Sequence, residues 1–428
     1  MPLDTHALRP RNADELADAG RRTTQTLFLA MSAASAGTIG VATVNSILAA
    51  DLGGRAAWAG FPSAVYLLAA ALSAPVWGLL MDRIGRRGGL LLGLVFGIGG
   101  AALVQGALIA GSLGYFLAAM TLMGVASAAV QLSRFVAAEV HPPRLRGRAI
   151  SNVVLGGAVG AIVGPLLVGP AGQWAGSIGL SELGGPYLAA LVLFTLAAAV
   201  VFTRLRPDPR DLGREVAALY PVEALSREGI RPLGEIFRKR DAFLAMAAMV
   251  LGQMVMVMLM VITSLHMANH DHSLSDLSLV ISSHTLGMYA FSVVSGRLCD
   301  RWGRHRVILA GSITLVVACL AATLTPDVLP LAVALFLLGL GWNFCYVGGS
   351  TLLADQLTPA ERARTQGFND LMVGMASAIA SLASGLVFDA LGYGAMGWAG
   401  AAVALFPLAL ALRASRAVPL RPRASQAG

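Results

Sequence analysis

Two methionines four residues apart, Met256 and Met260, and a histidine and methionine at the same spacing, His284 and Met288, are the residues whose types and spacing most directly suggest chemistry. In a helix an i, i+4 spacing puts both members of a pair on one face. Thioether sulfur and imidazole nitrogen make a soft donor set suited to Cu(I), and methionine carries no charge when such a site is empty. Met246, Met249, Met254, Met256, Met258 and Met260 crowd into fifteen residues of a chain that holds 16 methionines. At ~100° per residue, Met249, Gln253, Met256 and Met260 form one stripe, with Met254 and Met258 on the far side. A plainer alternative stands beside the metal reading. Methionine also fills gaps at helix interfaces or makes an adaptable apolar surface, and His284 could be a packed, hydrogen-bonded ring or a proton carrier.

The elements that must position these residues are membrane helices. The 428 residues are 56% hydrophobic and 13% charged, with a mean hydropathy of +0.71, a balance no soluble domain of this length could solvate. Backbone polar groups in lipid must be satisfied inside helices or a closed barrel, and apolar runs of roughly twenty residues select helices. Apolar windows against breakers predict an all-α polytopic membrane protein with twelve spans near 26–49, 57–80, 88–109, 114–138, 150–170, 186–203, 243–266, 276–298, 306–325, 330–352, 366–388 and 395–413. The organisation expected is a cytoplasmic segment 1–25, a six-helix bundle 26–203, a proline-rich linker 204–241, a second six-helix bundle 242–413 and a tail 414–428. Counted from the outer span ends at ~1.5 Å per residue, Met256 and Met260 lie roughly 9–15 Å deep, and His284 and Met288 roughly 12–18 Å. The two pairs can therefore meet at one level.

The net charge of +8 does not point to nucleic acid, because the basic residues are dispersed among the spans and Lys239 is the only lysine. Lysine and arginine gather in alternate connections, and the opposite set holds only Arg55. Both termini and the linker are therefore expected in the cytoplasm, in a multi-pass protein of the inner membrane. Cys299, Cys319 and Cys345 lie in or beside spans and suggest no disulfide framework. The first 25 or so residues mix acidic and basic side chains without a cleavable apolar core, so the first span is expected to be retained. No carboxylate falls near the middle of a span, which disfavours a carrier driven by a buried central acid.

The chain repeats itself. Gly78, Asp82, Arg83, Gly85 and Arg86 recur 218 residues later as Gly296, Asp300, Arg301, Gly303 and Arg304, each set between the second and third spans of its half. Ala138, Glu139, Pro143, Arg146 and Arg148 recur 216 residues later as Ala354, Asp355, Pro359, Arg362 and Arg364. Parallel halves of this kind suit a solute site between two bundles. Glycine allows close helix approach, aspartate caps or accepts, and arginine pairs with it or with anionic headgroups. Simple positive-inside anchoring explains the arginines but not the repeated Gly and Asp.

These loops, GLLMDRIGRR and GRLCDRWGRHR, resemble the signature loop of the major facilitator superfamily, and the likeness extends over essentially the whole chain. The resemblance implies alternating access by rocking bundles, with Asp82 and Arg86 as one cytoplasmic latch, Asp300 and Arg304 as the other, and Arg134 and Glu139 as partners. The fifth span, through Gly160, Gly164, Pro165 and Gly169, looks like that superfamily's exporter-associated glycine–proline pattern, although Val168 stands where the pattern has glycine. A small-residue helix contact with a proline kink explains it equally well. The segments MVMLM and HTLGM are similar to those of major facilitator copper importers that supply cbb3-type cytochrome oxidase, some of whose relatives carry riboflavin. HMANHDH, from His266 to His272, could gather metal at an outer entrance or form a polar turn.

The leading expectation is thus a secondary transporter importing copper, with Cu(I) as cargo and no resident cofactor required. Proton-coupled movement of a small organic molecule, by efflux or uptake, is the alternative. A non-transporting sensor of the same fold is a third reading, and no hydrolase, nucleotide-loop or nucleophile signature suggests an enzyme. Expected partners are the bilayer, the solute and a coupling ion such as H+, for a chain acting as a monomer.

Overall fold

The computed structural model describes residues 13–220 and 231–417, and among them every regular element is a helix. The tail beyond 417, residues 1–12 and linker residues 221–230 lie outside the described residues. The chain divides into two compact units, Met1–Gly54 with Val65–Leu225, and Arg55–Ala64 with Ser226–Gly428.

The first unit contains α1 (Ala13–Ala42), α2 (Asn45–Gly53), most of α3 (Phe61–Ile84), α4 (Arg86–Ala110), α5 (Leu113–Gln131), α6 (Ser133–Glu139) and α7 (Arg146–Leu166). It continues through α8 (Val168–Ser177), α9 (Gly185–Arg204) and α10 (Pro209–Leu219). The second contains α11 (Leu233–Arg238), α12 (Arg240–Ala268), α13 (Leu274–Tyr289), α14 (Ser292–Trp302), α15 (Arg304–Ala321), α16 (Val328–Asp355) and α17 (Pro359–Ala417). A 3-10 turn, Ala56–Gly60, and the start of α3 belong to this second unit, where Arg55 pairs with Asp389 at 2.7 Å and the Ser381 hydroxyl donates to the Gly60 carbonyl at 2.7 Å.

Eleven helical stretches among the described residues are long and apolar enough to cross a bilayer. The last, Arg364–Ala414, runs 51 residues, which at ~1.5 Å per residue exceeds twice the ~30 Å of hydrocarbon. It breaks at Gly392, where φ is 77° and ψ −179°, a conformation open to glycine and strained for any residue with a Cβ. The sequence places its final two spans on either side of that point.

Two boundaries differ from the sequence reading. α1 starts at Ala13, not near residue 26, because Leu16 closes a small apolar cluster with Val140, Leu212 and Val216, with Ala19 and Tyr220 packed on it. The linker expected over 204–241 includes a true helix, α10, which puts Leu212 and Val216 into that cluster and is capped at its start by Asp208, whose side chain accepts from the Arg210 amide.

Lipid tails are as apolar as leucine, so helix association rests on close packing more than on burial. α1 lies against α7 and α9. A Cβ on Gly160 would collide with the Ser32 carbonyl and Ser35, and one on Gly164 with the Ala36 carbonyl and the Gly40 amide. Pro165 sits in the last turn of α7, and the helix restarts at Val168 with Gly169 following. In the second unit α13 packs along α16 while α12 packs on α16 and α17. Gly164→Leu should lower the thermal unfolding midpoint of the detergent-solubilised protein, by the ~1–3 kcal/mol typical of overpacking. Gly99→Leu, where a Cβ meets nothing within 4 Å, should leave the midpoint unchanged or raise it; equal effects at the two sites would refute the packing role.

Candidate functional site

The repeated loops are tight helix-to-helix turns. Gly85, at φ 86°, and Gly303, at φ 89°, form the N-caps of α4 and α15, one residue after α3 and α14 end. The left-handed backbone explains why glycine stands there twice. At Gly85 a side chain would also run into the Asp208 carboxylate.

Around the first turn, the Arg86 guanidinium bonds Glu139 through two contacts, Nε to Oε2 at 2.9 Å and Nη2 to Oε1 at 2.8 Å. Its Nη1 reaches Asp82 at 2.8 Å. A fork engaging two carboxylates is the geometry for which arginine, not lysine, is suited. The linker supplies the rest. Asp208 accepts from the amides of Arg86 and Arg87, both at 3.1 Å, and Arg210 Nη1 donates to the carbonyls of Asp82 and Arg83 at 3.1 and 3.2 Å. An acid therefore sits at the start of α4 and a base at the end of α3, the signs that the two helix dipoles favour.

Around the second turn, Arg304 Nε donates to Asp355 at 3.0 Å, Arg304 lies 3.7 Å from Asp300, and Nη1 donates to the Cys299 carbonyl at 3.1 Å. The pairing of Arg86 with Glu139 thus has its counterpart 218 and 216 residues on. Three of the repeated-loop expectations look different in the structure. Arg134 does not join this network; its guanidinium lies 4.9 Å over the Phe135 ring, with Nε buried and without a hydrogen bond among the described residues. Gly78 and Gly296 mediate no close helix approach, since a Cβ on either meets nothing within 4 Å, and Gly78 borders a crevice of about 380 Å³ beside Asp82 and Glu139. The side chains of Arg83 and Arg301 stand exposed, as headgroup anchors would.

The soft-donor residues are distributed differently from the sequence reading. α13 hardly touches α12. It is drawn to α16 by Gly339, whose missing side chain leaves room for the His284 carbonyl, and by Gly287 against the Phe336 carbonyl. His284 is 1% exposed, and its Nδ1 lies 2.9 Å from the Leu335 carbonyl of α16. A carbonyl only accepts, so Nδ1 carries the proton and Nε2, without a partner among the described residues, presents its lone pair. Met288 and Met256 are buried at 8% and 7% exposure, Met260 is half-buried, and Met249 packs at Gly349 and near Asn369.

The outer histidines are likewise spent on other contacts. His266 stacks on Tyr393 with centroids 4.0 Å apart and planes 3° apart, His270 Nδ1 bonds the His266 carbonyl, and His272 Nε2 bonds the Pro326 carbonyl. Among the described residues no group of three or more His, Cys, Asp or Glu could hold a metal ion.

Gln253 of the methionine stripe proves to be part of a ring cluster. The indole Nε1 of Trp342 donates to Gln253 Oε1 at 2.6 Å; Trp342 stacks on Tyr346 at 5.0 Å and 19°, and Tyr289 meets Trp342 edge-on at 6.4 Å and 69°. Gln253, Tyr289, Trp342 and Tyr346 are all partly buried. The indole can only donate, which fixes the amide oxygen on it and leaves both N–H bonds of the Gln253 amide for another acceptor. Behind the cluster Asn343 donates to the Met288 carbonyl at 2.6 Å and to Ser292 at 2.9 Å, and accepts from Ser295, locking α13 and α14 to α16. Sequence reasoning missed Trp342 and Tyr346, whose i, i+4 spacing was the available signal.

It also missed the far end of the linker. Glu361 is 1% exposed and accepts from Arg231 Nε and Nη2, both at 2.7 Å, from the Arg231 amide at 3.1 Å and from the Thr358 amide at 3.0 Å. The Arg231 contact, opposed by desolvation and reinforced by the amides, holds the carboxyl well below the usual range.

The chain matches the Major Facilitator Superfamily over residues 26–275 and 246–427. It is 34% identical over 386 residues to YdeG, an uncharacterized MFS-type transporter of Bacillus subtilis (strain 168), covering 89% of this chain and 90% of that one. It is 31% identical over 412 residues to the riboflavin transporter RfnT of Brucella anthropi, covering 96% and 99%. A bacterial homolog of the human lysosomal transporter Spinster shares the fold with a TM-score of 0.69 at 15% identity, covering 95% of this chain and 98% of that chain.

Because the folded pKa of Glu361 is depressed, its contribution is complete above the ordinary carboxylate pKa and is lost only as pH falls through the lower, folded value. Amide protection of residues 231–238, followed by hydrogen exchange, should therefore persist at pH values where exposed glutamates are already protonated. It should be missing at every pH in Glu361→Gln. Loss of protection at an ordinary glutamate pKa would contradict the pairing.

Proposed function

This chain belongs to the Major Facilitator Superfamily and is a membrane transporter of small solutes, and from that premise we propose that its cargo is a small organic molecule built on a flat heteroaromatic ring. The observation that carries this reading is the half-buried cluster of Gln253, Tyr289, Trp342 and Tyr346. Ring faces take a flat π-system by offset stacking, at about 0.5–1.5 kcal/mol per pair beyond burial. The two N–H bonds of the Gln253 side chain, which meet no acceptor among the described residues, suit a ring carbonyl or ring nitrogen on the cargo. Few polar groups amid apolar walls is the usual composition of a small-molecule site. The likeness to a riboflavin transporter over nearly the whole chain supports the same class of cargo.

In this proposal twelve crossings, counted by dividing the long α17 at Gly392, form two six-helix bundles with both termini in the cytoplasm. The bundles alternate access by rocking. Arg86 with Asp82 and Glu139, and Arg304 with Asp300 and Asp355, act as latches that must be broken and remade in each cycle. Protons couple the cycle through His284, which holds its ring by Nδ1 and keeps Nε2 free to accept.

A second reading, import of copper, draws on the same atom. The buried Nε2 lone pair lies one helical turn from the Met288 thioether, a soft pair for Cu(I). Riboflavin and Cu(I) uptake into proteoliposomes separates the two readings. Trp342→Ala and Gln253→Ala should each cut riboflavin uptake about tenfold, the equivalent of ~1.4 kcal/mol, and His284→Ala should remove its stimulation by a proton gradient. Copper uptake that depends on His284 and Met288, with no riboflavin uptake by the wild type, would replace the organic cargo with the metal.

A further inference from the structure

The first unit contains a ligand-sized cavity at the end of the bundle where the linker begins. It is a crevice of about 640 Å³, within the ~300–1,000 Å³ range of small-molecule sites. Its walls come from the first turns of α1, the loop leading into α7 and the end of α10. Arg21, His141, Arg144, Arg148, Asn152 and Tyr220 supply most of its polar lining, and Asp14 is its only acid among the described residues.

The crevice is built, not a gap between loose loops. Its floor is the apolar cluster of Leu16, Val140 and Val216 with Tyr220. Gly20 lets α1 come against the Val140 carbonyl and the His141 ring, and that ring is held by Nδ1 on the Ala137 carbonyl at 2.8 Å. Arg21 is engaged by Asp18. Arg144 and Arg148 are exposed and have no ion-pair partner among the described residues, so the lining carries unspent positive charge.

Thr24, Gln25 and Asn152 also line a neighbouring groove of about 410 Å³, in which the other lining residues are Phe28, Leu29, Leu155 and Arg204. Leu29 and Leu155 are 43% and 58% exposed on helices apolar enough to cross a membrane, so they face lipid or a ligand. Basic crevice and apolar groove are thus one continuous surface, charged where α1 and α7 leave the apolar zone and greasy along the helices within it.

We infer that this surface is a specific site for an anionic phospholipid, with the phosphate of the headgroup on Arg144 and Arg148 and an acyl chain along Phe28, Leu29 and Leu155. A soluble phosphate would use the arginines but leave the apolar groove without an occupant, and a neutral lipid would use the groove but not the charges. A lipid seated there spans α1, the α6–α7 loop and α10, the same α10 whose preceding residue, Asp208, caps α4. The inference is independent of the cargo.

The test is lipid retention by the purified full-length protein, read by native mass spectrometry after release from mixed micelles containing phosphatidylglycerol and phosphatidylcholine of identical chains. The wild type should retain phosphatidylglycerol selectively. The double variant Arg144→Gln/Arg148→Gln should lower that retention roughly tenfold or more, given that each basic residue near a membrane surface contributes several-fold, with phosphatidylcholine unchanged. Leu155→Trp, which fills the groove and keeps every charge, should lower it too, whereas Arg413→Gln, a basic residue near a different helix end, should not. Unchanged retention in the first two variants, or equal loss in Arg413→Gln, would overturn the site. Displacement of phosphatidylglycerol by millimolar inorganic phosphate would overturn the lipid assignment in favour of a soluble phosphate.

Discussion

Helices that cross a hydrocarbon layer satisfy their own backbone everywhere except at their ends, where four N–H and four C=O groups are left over, and the way this chain satisfies those ends decides most of what it can do. At α3 and α4 the connection is a single left-handed residue, Gly85, so the orphaned groups of both helices emerge within a few ångströms of each other. Asp208 covers two of the N–H groups and Arg210 two of the C=O groups. With the ends satisfied, Arg86 is held by two carboxylates rather than by its own backbone, and its side-chain contacts can be exchanged without unravelling a helix. That separation of a fixed backbone turn from a breakable side-chain pairing is the physical requirement for a latch.

The two halves meet this requirement unequally. Arg86 makes a two-pronged bond to Glu139 and a further one to Asp82, whereas Arg304 makes one close bond to a carboxylate, that of Asp355, and approaches Asp300 only at 3.7 Å. The linker contributes at both of its described ends, through Asp208 in the first unit and through Arg231 on the buried Glu361 in the second. It is thus fastened to each bundle by a carboxylate with several donors.

Much of this was legible in the sequence, for reasons that lie in particular residues. Span positions follow from apolar length, and the internal repeat singled out Asp82, Arg86, Asp300 and Arg304 and brought Glu139 and Asp355 along as a second echo. Asp208 and Arg210 were hidden because their partners lie more than a hundred residues away and four prolines made the segment read as unstructured, although Pro-Asp-Pro is a helix-start pattern. The direction in which a helix face points is fixed by its neighbours. Gly339 and Gly287 pull α13 onto α16 and turn His284 to the Leu335 carbonyl, which no spacing within α13 could reveal. Gln253 was visible as one polar residue in a methionine stripe, but Trp342, its hydrogen-bond partner, lies on another helix.

The proposal of a flat aromatic cargo rests above all on the Trp342 indole. The chain has six tryptophans, so replacing Trp58, Trp77, Trp174, Trp302 and Trp398 by phenylalanine leaves Trp342 as the sole indole reporter. Its emission, in protein reconstituted in lipid and titrated with riboflavin, measures the contact directly. Saturable quenching that disappears in Gln253→Ala is the result expected. An emission indifferent to riboflavin but altered by Cu(I) would contradict the assignment of this cluster to an organic cargo.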